Sequence, residues 1–90
     1  MDQAKRYALS KEAAVRPEKF GGLVYRYDNR RLYFLHSKPM ADFLIGLDGS
    51  TSVGESIETF LAEHKLAAGN KKTFLSALEK LETLEVLSEL

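Results

Sequence analysis

Few residues of the chain have the types and the spacing that catalysis or metal binding would require. The two histidines, His36 and His64, fall in different predicted elements, and neither has an obvious carboxylate or nucleophile beside it. Zinc sites use three or four ligands, and the chain has no cysteine to add to this pair. The sequence therefore predicts no catalytic residue, no metal and no cofactor.

A run of glutamates near the C-terminus is the other feature that a cation could use. The four carboxylates recur near helical spacing, which more often marks a solvated helix face than a divalent cation site. The glycines between the predicted helices lack the Gly-x-Gly-x-x-Gly and Gly-Lys-Ser/Thr spacings of phosphate loops, so we interpret them as helix ends. The glutamates are Glu79, Glu82, Glu85 and Glu89, and the glycines are Gly46, Gly49 and Gly54.

The composition predicts one folded domain without a general affinity for nucleic acid. The 90 residues, 44% of them hydrophobic, suffice for a single modest core, which we expect over residues 7–90 after a flexible N-terminus at residues 1–6. The 13 basic and 13 acidic side chains cancel, so no overall field draws the protein to a polyanion. Because the apolar runs fall well short of the roughly 20 residues of a membrane span and no secretory signal is recognisable, we expect a cytoplasmic protein that binds no membrane.

The first half of the chain has the alternation and the turn residues of β-strands. An extended segment is predicted at residues 7–9 and a short strand at residues 14–16, followed by a turn shaped by Pro17 and Gly21. Residues 22–27 alternate between two faces, with Leu23, Tyr25 and Tyr27 on one and Val24 and Arg26 on the other.

A hairpin should follow, because Asp28-Asn29-Arg30 separates residues 22–27 from a second β-rich run at Arg31–His36. This last run is apolar on both faces, so we expect both faces to be covered. It is also the final strand of a three-stranded meander and should lie at an edge, where a guest strand can pair with it. The alternative is that Leu32, Tyr33, Phe34 and Leu35 are simply core residues.

Helical spacing dominates the second half of the chain. Ser37 is a predicted N-cap with Pro39 in the first turn, Asp48-Gly49 ends this first helix, and Ser52 with Glu55 has the form of a capping box before a helix over residues 53–64. A third helix follows Gly69-Asn70, and a short terminal strand is predicted at Val86 and Leu87. The residues predicted to face inward are Met40, Phe43, Leu44 and Leu47, then Val53, Ile57, Phe60 and Leu61, then Phe74, Leu75, Leu78 and Leu81.

The order of elements predicts an α+β fold, winged helix-turn-helix-like, with a three-stranded antiparallel sheet followed by three helices. Two segments of the sheet half resemble the mycofactocin-system peptide chaperones, and the Asp48-Gly49 region and the final helix resemble the broader PqqD-like family of recognition elements. A glycine expected between the third helix and a closing strand is missing. The two segments are Arg16-Pro17-Glu18-Lys19-Phe20-Gly21-Gly22-Leu23-Val24-Tyr25 and Arg30-Arg31-Leu32-Tyr33-Phe34-Leu35-His36-Ser37.

The resemblance implies a non-enzymatic chaperone of ribosomally made, post-translationally modified peptides. Such a domain binds the leader of a precursor peptide as an added antiparallel strand and delivers it to a radical S-adenosylmethionine maturase. Carried onto this chain, it implies a peptide groove between the last strand and the third helix. The implied peptide-binding residues are Arg31, Leu32, Tyr33, Phe34, Leu35 and His36 on the strand, and Lys71, Phe74, Leu75 and Leu78 on the helix.

Other functions stay open on the sequence alone. The basic pairs Arg30-Arg31 and Lys71-Lys72 would suit a DNA-binding winged helix, although the glutamates of the third helix oppose a duplex-binding face. A PqqD-like chaperone of another peptide pathway, or a homodimer formed through the free strand edge, are further alternatives. In the segment Arg16–Gly21, Pro17 and Gly21 are expected to shape a turn and Phe20 to pack, and docking of the maturase is a second role open to the segment.

Overall fold

The computed structural model describes all of residues 1–90 and contains three helices and five strands. Three of the strands form an antiparallel meander in the order β2-β3-β4, and the three helices follow it, which confirms the predicted α+β class. A winged-helix relationship is not decided by this order and stays a prediction. The elements are β1 (Tyr7–Leu9), β2 (Ala13–Glu18), β3 (Gly21–Arg26), β4 (Leu32–Leu35), α1 (Lys38–Gly46), α2 (Val53–Glu63), α3 (Asn70–Thr83) and β5 (Leu87–Glu89).

The turn between β2 and β3 is tighter than predicted. Strand β2 continues through Pro17, which lies opposite Gly22, and the connection consists only of Lys19 and Phe20. Pro17 therefore belongs to the strand and does not shape the turn. Gly21 does: its φ is 146°, and a Cβ there would collide with the carbonyl oxygen of Leu35 on β4. Glycine is required where two backbones come this close.

The hairpin between β3 and β4 is confirmed, with Tyr25 opposite Leu32 and Leu23 opposite Phe34. Its turn is held by Asn29, whose side-chain oxygen accepts a hydrogen bond from the backbone N–H of Arg31 at 3.0 Å. The left-handed position falls on Arg30, with φ 58°. Strand β4 spans four residues and so is shorter at both ends than the predicted run over residues 31–36.

The two ends of the chain form a second, separate sheet that the prediction of one three-stranded sheet did not include. Strands β1 and β5 pair antiparallel, with Leu9 opposite Leu87. The closing strand is thus present although the expected glycine before it is missing. Glu85 takes the left-handed conformation in its place, with φ 62°.

The helix starts follow the predicted capping residues. The Ser37 hydroxyl accepts from the N–H of Met40, and the Ser52 hydroxyl accepts from the N–H of Glu55, each at 3.3 Å. The reciprocal bond of a capping box, in which the N–H of Ser52 donates to the Glu55 side chain, is not formed. Helix α1 ends at Gly46, before the predicted Asp48-Gly49 stop, and α2 ends at Glu63 with His64 as its cap.

One hydrophobic core lies between the helices and the inner face of the three-stranded sheet. Val24 points into it from the sheet, and Phe43, Phe60 and Phe74, one from each helix, meet with ring centroids 5.4 to 5.8 Å apart. Most residues predicted to face inward are buried, while Phe60 and Leu75 are half-buried at its margin.

Residues 1–6, predicted to be a flexible segment, run along the start of α2 in this structure. The carbonyl oxygens of Gln3 and Lys5 accept hydrogen bonds from the N–H groups of Gly54 and Val53, and that of Arg6 accepts from Leu90. The segment thereby joins the first turn of α2 to the two-stranded sheet.

Candidate functional site

Strand β4 has one free edge. It lies at the end of the order β2-β3-β4, and no other strand pairs with its outer side. The backbone N–H of Arg26 donates to the carbonyl oxygen of Arg31 at 3.0 Å, so these two residues form a hydrogen-bonded pair. Because such pairs alternate along an antiparallel ladder, Tyr33 bonds towards β3, and Leu32 and Phe34 direct their N–H and C=O groups to the free edge.

The same two residues expose their side chains. Leu32 is 58% exposed and Phe34 is 66% exposed, although both are large and apolar. The prediction that β4 is covered on both faces is therefore wrong: the helices cover only the face of Tyr33 and Leu35, which pack against the core. Alternation showed that both faces are apolar, but it could not show that one of them lies open.

The opposite edge of the sheet, formed by β2, is much less open. There the backbone N–H of Tyr27 on the β3 side donates to the carbonyl oxygen of Glu12. Because bonded and non-bonded pairs alternate along the ladder, the backbone groups that face outward are those of Ala13, Val15 and Pro17. The N–H of Ala13 already donates to the carbonyl of Ser10 at 3.0 Å, and proline has no N–H. A proline on an edge strand is a common protection against pairing with another chain. Strand addition is therefore far easier at β4 than at β2.

The α3 residues that were predicted to bind the peptide differ in how far they are buried. Phe74 and Leu78 are buried in the core, with 4% and 0% of their surface exposed, so they can only support a groove from beneath. Leu75 is half-buried, and the Lys71 ammonium is held by the Glu58 carboxylate at 2.6 Å. Helix α1 is the helix that packs on β4, and α3 packs on α2 and β5.

The face of the three-stranded sheet that points away from the helices is lined with apolar side chains, and we call it the outer sheet face. At one end Phe20, Phe34 and His36 pack together, with ring centroids 5.4 to 6.4 Å apart. The resemblance implied that Phe34 and His36 belong to the peptide-binding site, whereas Phe20 was expected only to pack. The outer sheet face comprises Phe20, Leu23, Tyr25, Leu32, Phe34 and His36.

The peptide chaperone MftB family matches residues 6–88 of the 90-residue chain. The chain belongs to this family. The match spans the three-stranded sheet with its free edge, all three helices and most of the two-stranded sheet. Neither the curated proteins nor the solved structures contain a match to the chain. Family membership gives the chain a peptide-chaperone role, and the open β4 edge is a surface suited to it.

Charge is distributed unevenly along this MftB-family chaperone. Residues 11–38, which hold the three-stranded sheet and its turns, carry seven basic and three acidic side chains, a net charge of +4. Residues 39–90 carry four basic and nine acidic side chains, a net charge of −5, and residues 1–10 contribute +1, which restores the overall neutrality. The neutral total therefore conceals a basic sheet and an acidic helical half.

An ion-pair cluster of Arg26 with Asp28 and Glu85 stabilises the end of β3. The Arg26 guanidinium donates to both carboxylate oxygens of Asp28, at 3.0 and 2.7 Å, and this hydrogen bonding lowers the pKa of Asp28 below its ordinary value. The same contacts raise the pKa of Arg26. The base of the β3–β4 hairpin, and with it the position of β4, is held by these contacts.

Neither histidine of the chaperone forms an ion pair with a carboxylate. His36 packs in the aromatic cluster of the outer sheet face, whereas His64 stacks on Phe60 at 3.9 Å, with Nδ1 3.0 Å from the Phe60 carbonyl oxygen. The structure has no group of three or more histidine and acidic side chains that could hold a metal ion. None of its helices combines the length and the apolar character needed to cross a membrane.

Proposed function

We propose that this chaperone binds the leader of a ribosomally made precursor peptide as an antiparallel strand on the free edge of β4. It then presents the peptide to a radical S-adenosylmethionine maturase of the mycofactocin type and performs no chemistry itself. The observation that carries the proposal is the open edge, where Leu32 and Phe34 offer unpaired backbone groups in a family of peptide chaperones. Main-chain hydrogen bonds supply affinity in such complexes, and pockets for alternate side chains supply selectivity.

The two faces of β4 would read different side chains of the leader. Leader residues opposite Leu32 and Phe34 would point to the outer sheet face, where large apolar surface is exposed. The residues between them would point to the side of Tyr33 and Leu35, which is partly filled by the core. Apolar side chains such as leucine or valine at alternate leader positions would suit both sides.

The charges beside β4 favour an acidic leader. Arg30, Arg31 and Lys38 are exposed at the two ends of the strand. Basic side chains at the rim of an interface steer an acidic partner to it and fix its register more than they add to affinity. Lys71 contributes less to such a rim, because Glu58 already neutralises it.

The part of α3 nearest to a groove can be tested at Leu75, the one predicted apolar residue of α3 that is only half-buried. If α3 lines the groove, Leu75→Glu lowers the leader affinity while circular dichroism shows a folded domain. Leu66→Glu, at another half-buried leucine outside the proposed groove, is the matched control. Equal leader affinity for folded Leu75→Glu and the wild type would remove α3 from the site and leave the β4 edge in place.

The function itself is tested by isothermal titration of the domain with the precursor peptide and, separately, with the leader alone. We expect saturable one-to-one binding that the leader alone retains. Binding that needs the segment beyond the leader would contradict leader recognition. A folded monomer that binds neither peptide would overturn the assignment to this precursor.

A further inference from the structure

The outer sheet face is larger than a bound leader strand would need. It crosses all three strands, from Phe34 on β4 through Leu23 on β3 to Arg16 on β2, which are successive neighbours in the register. The helices pack on the other side, where a Cβ on Gly22 would meet the Cβ of Ala41. A surface of exposed aromatic and aliphatic side chains on one side of a small domain is typical of an interaction site.

We propose that the outer sheet face docks a folded protein whose own surface is apolar at the centre and acidic at the rim, while the leader occupies the β4 edge. The inference rests on the proposed function, in which this protein is the maturase. Strand addition uses the backbone groups of β4 and the margin of the outer sheet face beside that strand, whereas face docking uses the part of the face towards β2 and the turn at Phe20. One small sheet can in this way bring the peptide and the enzyme together.

The apolar centre of the face has the composition that protein interfaces favour. Phe20 is 42% exposed, Phe34 is 66% exposed, and Tyr25 packs edge-to-face on the exposed Tyr27 at 5.3 Å. Aromatic side chains dominate the binding energy of protein interfaces because they bury much apolar surface with few rotatable bonds. Their exposure to water is unfavourable in the free domain, and a bound partner would bury this apolar surface.

The charge around this centre selects an acidic partner. Arg16 and Lys19 are exposed at its β2 end, and Arg30 and Arg31 at the β3–β4 turn, within the sheet segment of net charge +4. A second copy of this chain docked face to face would bring two such basic surfaces together, which opposes a symmetric dimer. A nucleic acid would need separate rings for base stacking, whereas Phe20, Phe34 and His36 pack against one another.

Arg16 allows the two surfaces to be tested separately. It lies on β2, two strands from β4 and therefore about 10 Å from that strand. Its guanidinium is exposed and paired with Glu18 at 2.7 Å, so Arg16→Glu leaves two carboxylates at the rim of the face. Lys80→Glu makes the same change of charge at an exposed position of α3 and is the matched control. Phe20→Ser tests the apolar centre without changing the charge.

The experiment measures two affinities for each folded variant: that of the free domain for labelled leader, and that of the leader-bound domain for the purified maturase. We expect Arg16→Glu and Phe20→Ser each to weaken maturase binding by about tenfold or more, and Arg16→Glu, two strands away from β4, to leave leader affinity within about twofold. Lys80→Glu should leave both affinities unchanged.

Three results would overturn the inference. If the wild type binds leader and maturase and both face variants do so equally well, the maturase docks elsewhere, and the proposed function still stands. If sedimentation shows a wild-type dimer that the face variants dissociate, with maturase affinity unchanged, the face belongs to a second copy. A wild type that binds neither leader nor maturase would defeat the proposed function and the inference together.

Discussion

The guanidinium of Arg26 on β3 forms hydrogen bonds with Glu85, the residue that ends the turn after α3. Its Nη1 donates to the backbone carbonyl oxygen of Glu85 at 3.1 Å and to the Glu85 carboxylate at 3.0 Å. Glu85 has a φ of 62°, which an L-residue adopts only when its surroundings hold it there. The long reach of Arg26 thus joins the three-stranded sheet to the start of the two-stranded one.

Replacing Arg26 should therefore destabilise the whole domain. Arg26→Met keeps much of the apolar stem but removes the guanidinium donors, so the Glu85 carbonyl keeps only the Ser10 hydroxyl and the Asp28 carboxylate only the Asn29 N–H. We expect the thermal midpoint to fall by roughly 5–10 °C, with a smaller fall for Arg26→Lys, which keeps the charge but not the planar fork. Differential scanning calorimetry measures both. A midpoint for Arg26→Met equal to that of the wild type would show that this junction adds nothing to stability.

The pH dependence of the free energy of unfolding should show the contribution of the ion pair between Arg26 and Asp28. Hydrogen bonding from Arg26 lowers the pKa of Asp28 in the folded state, and unfolding returns it to its ordinary value of about 3.9. A group with a lowered folded pKa stabilises the fold above its ordinary pKa, and this contribution is lost as the pH falls through the folded pKa.

We therefore expect Asp28→Asn to lower the urea midpoint near neutral pH and to approach the wild type at about pH 2. The control is Asp42→Asn, at an exposed aspartate of α1 that forms no ion pair. A loss of stability for Asp28→Asn that is the same at both pH values would mean that shape, and not charge, explains the effect.

Local patterns predicted the elements that depend on near neighbours. The spacing of Phe74, Leu78 and Leu81 located the buried face of α3, and the turn residues around Asn29 located the hairpin. The caps at Ser37 and Ser52 were predicted for the same reason, since a cap bonds to an N–H only three residues away.

Long-range relations escaped prediction because they depend on what packs where. The contact between Arg26 and Glu85 joins residues 59 positions apart, and an arginine next to a turn gave no sign of being 7% exposed. For the candidate site, alternation identified the two faces of residues 32–35 but could not say which face the helices cover. The edge position of β4 was predicted, whereas the exposure of Leu32 was not.

The turn before β3 offers a test of backbone geometry. At Gly21, with φ 146°, an alanine Cβ would collide with the backbone of Leu35 and lie 2.7 Å from the nitrogen of Ser37. We expect Gly21→Ala to destabilise the domain by about 2 kcal/mol or more and to weaken leader binding by displacing β4. Gly46→Ala is the control, because a Cβ there meets nothing within 4 Å. Chemical denaturation should show Gly46→Ala unchanged or slightly more stable; equal values for the two variants would refute the role of Gly21.

The direction of the Phe34 backbone leads to the sharpest test of strand addition. Its N–H points away from β3, so Phe34→Pro removes a donor at the free edge without removing a hydrogen bond inside the sheet. Phe34→Ala removes the same side chain but keeps the N–H, and is therefore the matched control. If the leader adds as a strand, titration will show Phe34→Pro binding about tenfold or more weaker than Phe34→Ala, with both variants folded by circular dichroism. Equal affinities would mean that the leader does not bond to this edge. The proline variant lacks the N–H and carries its ring in that position, so a leader that bonds there must bind it more weakly than the alanine variant.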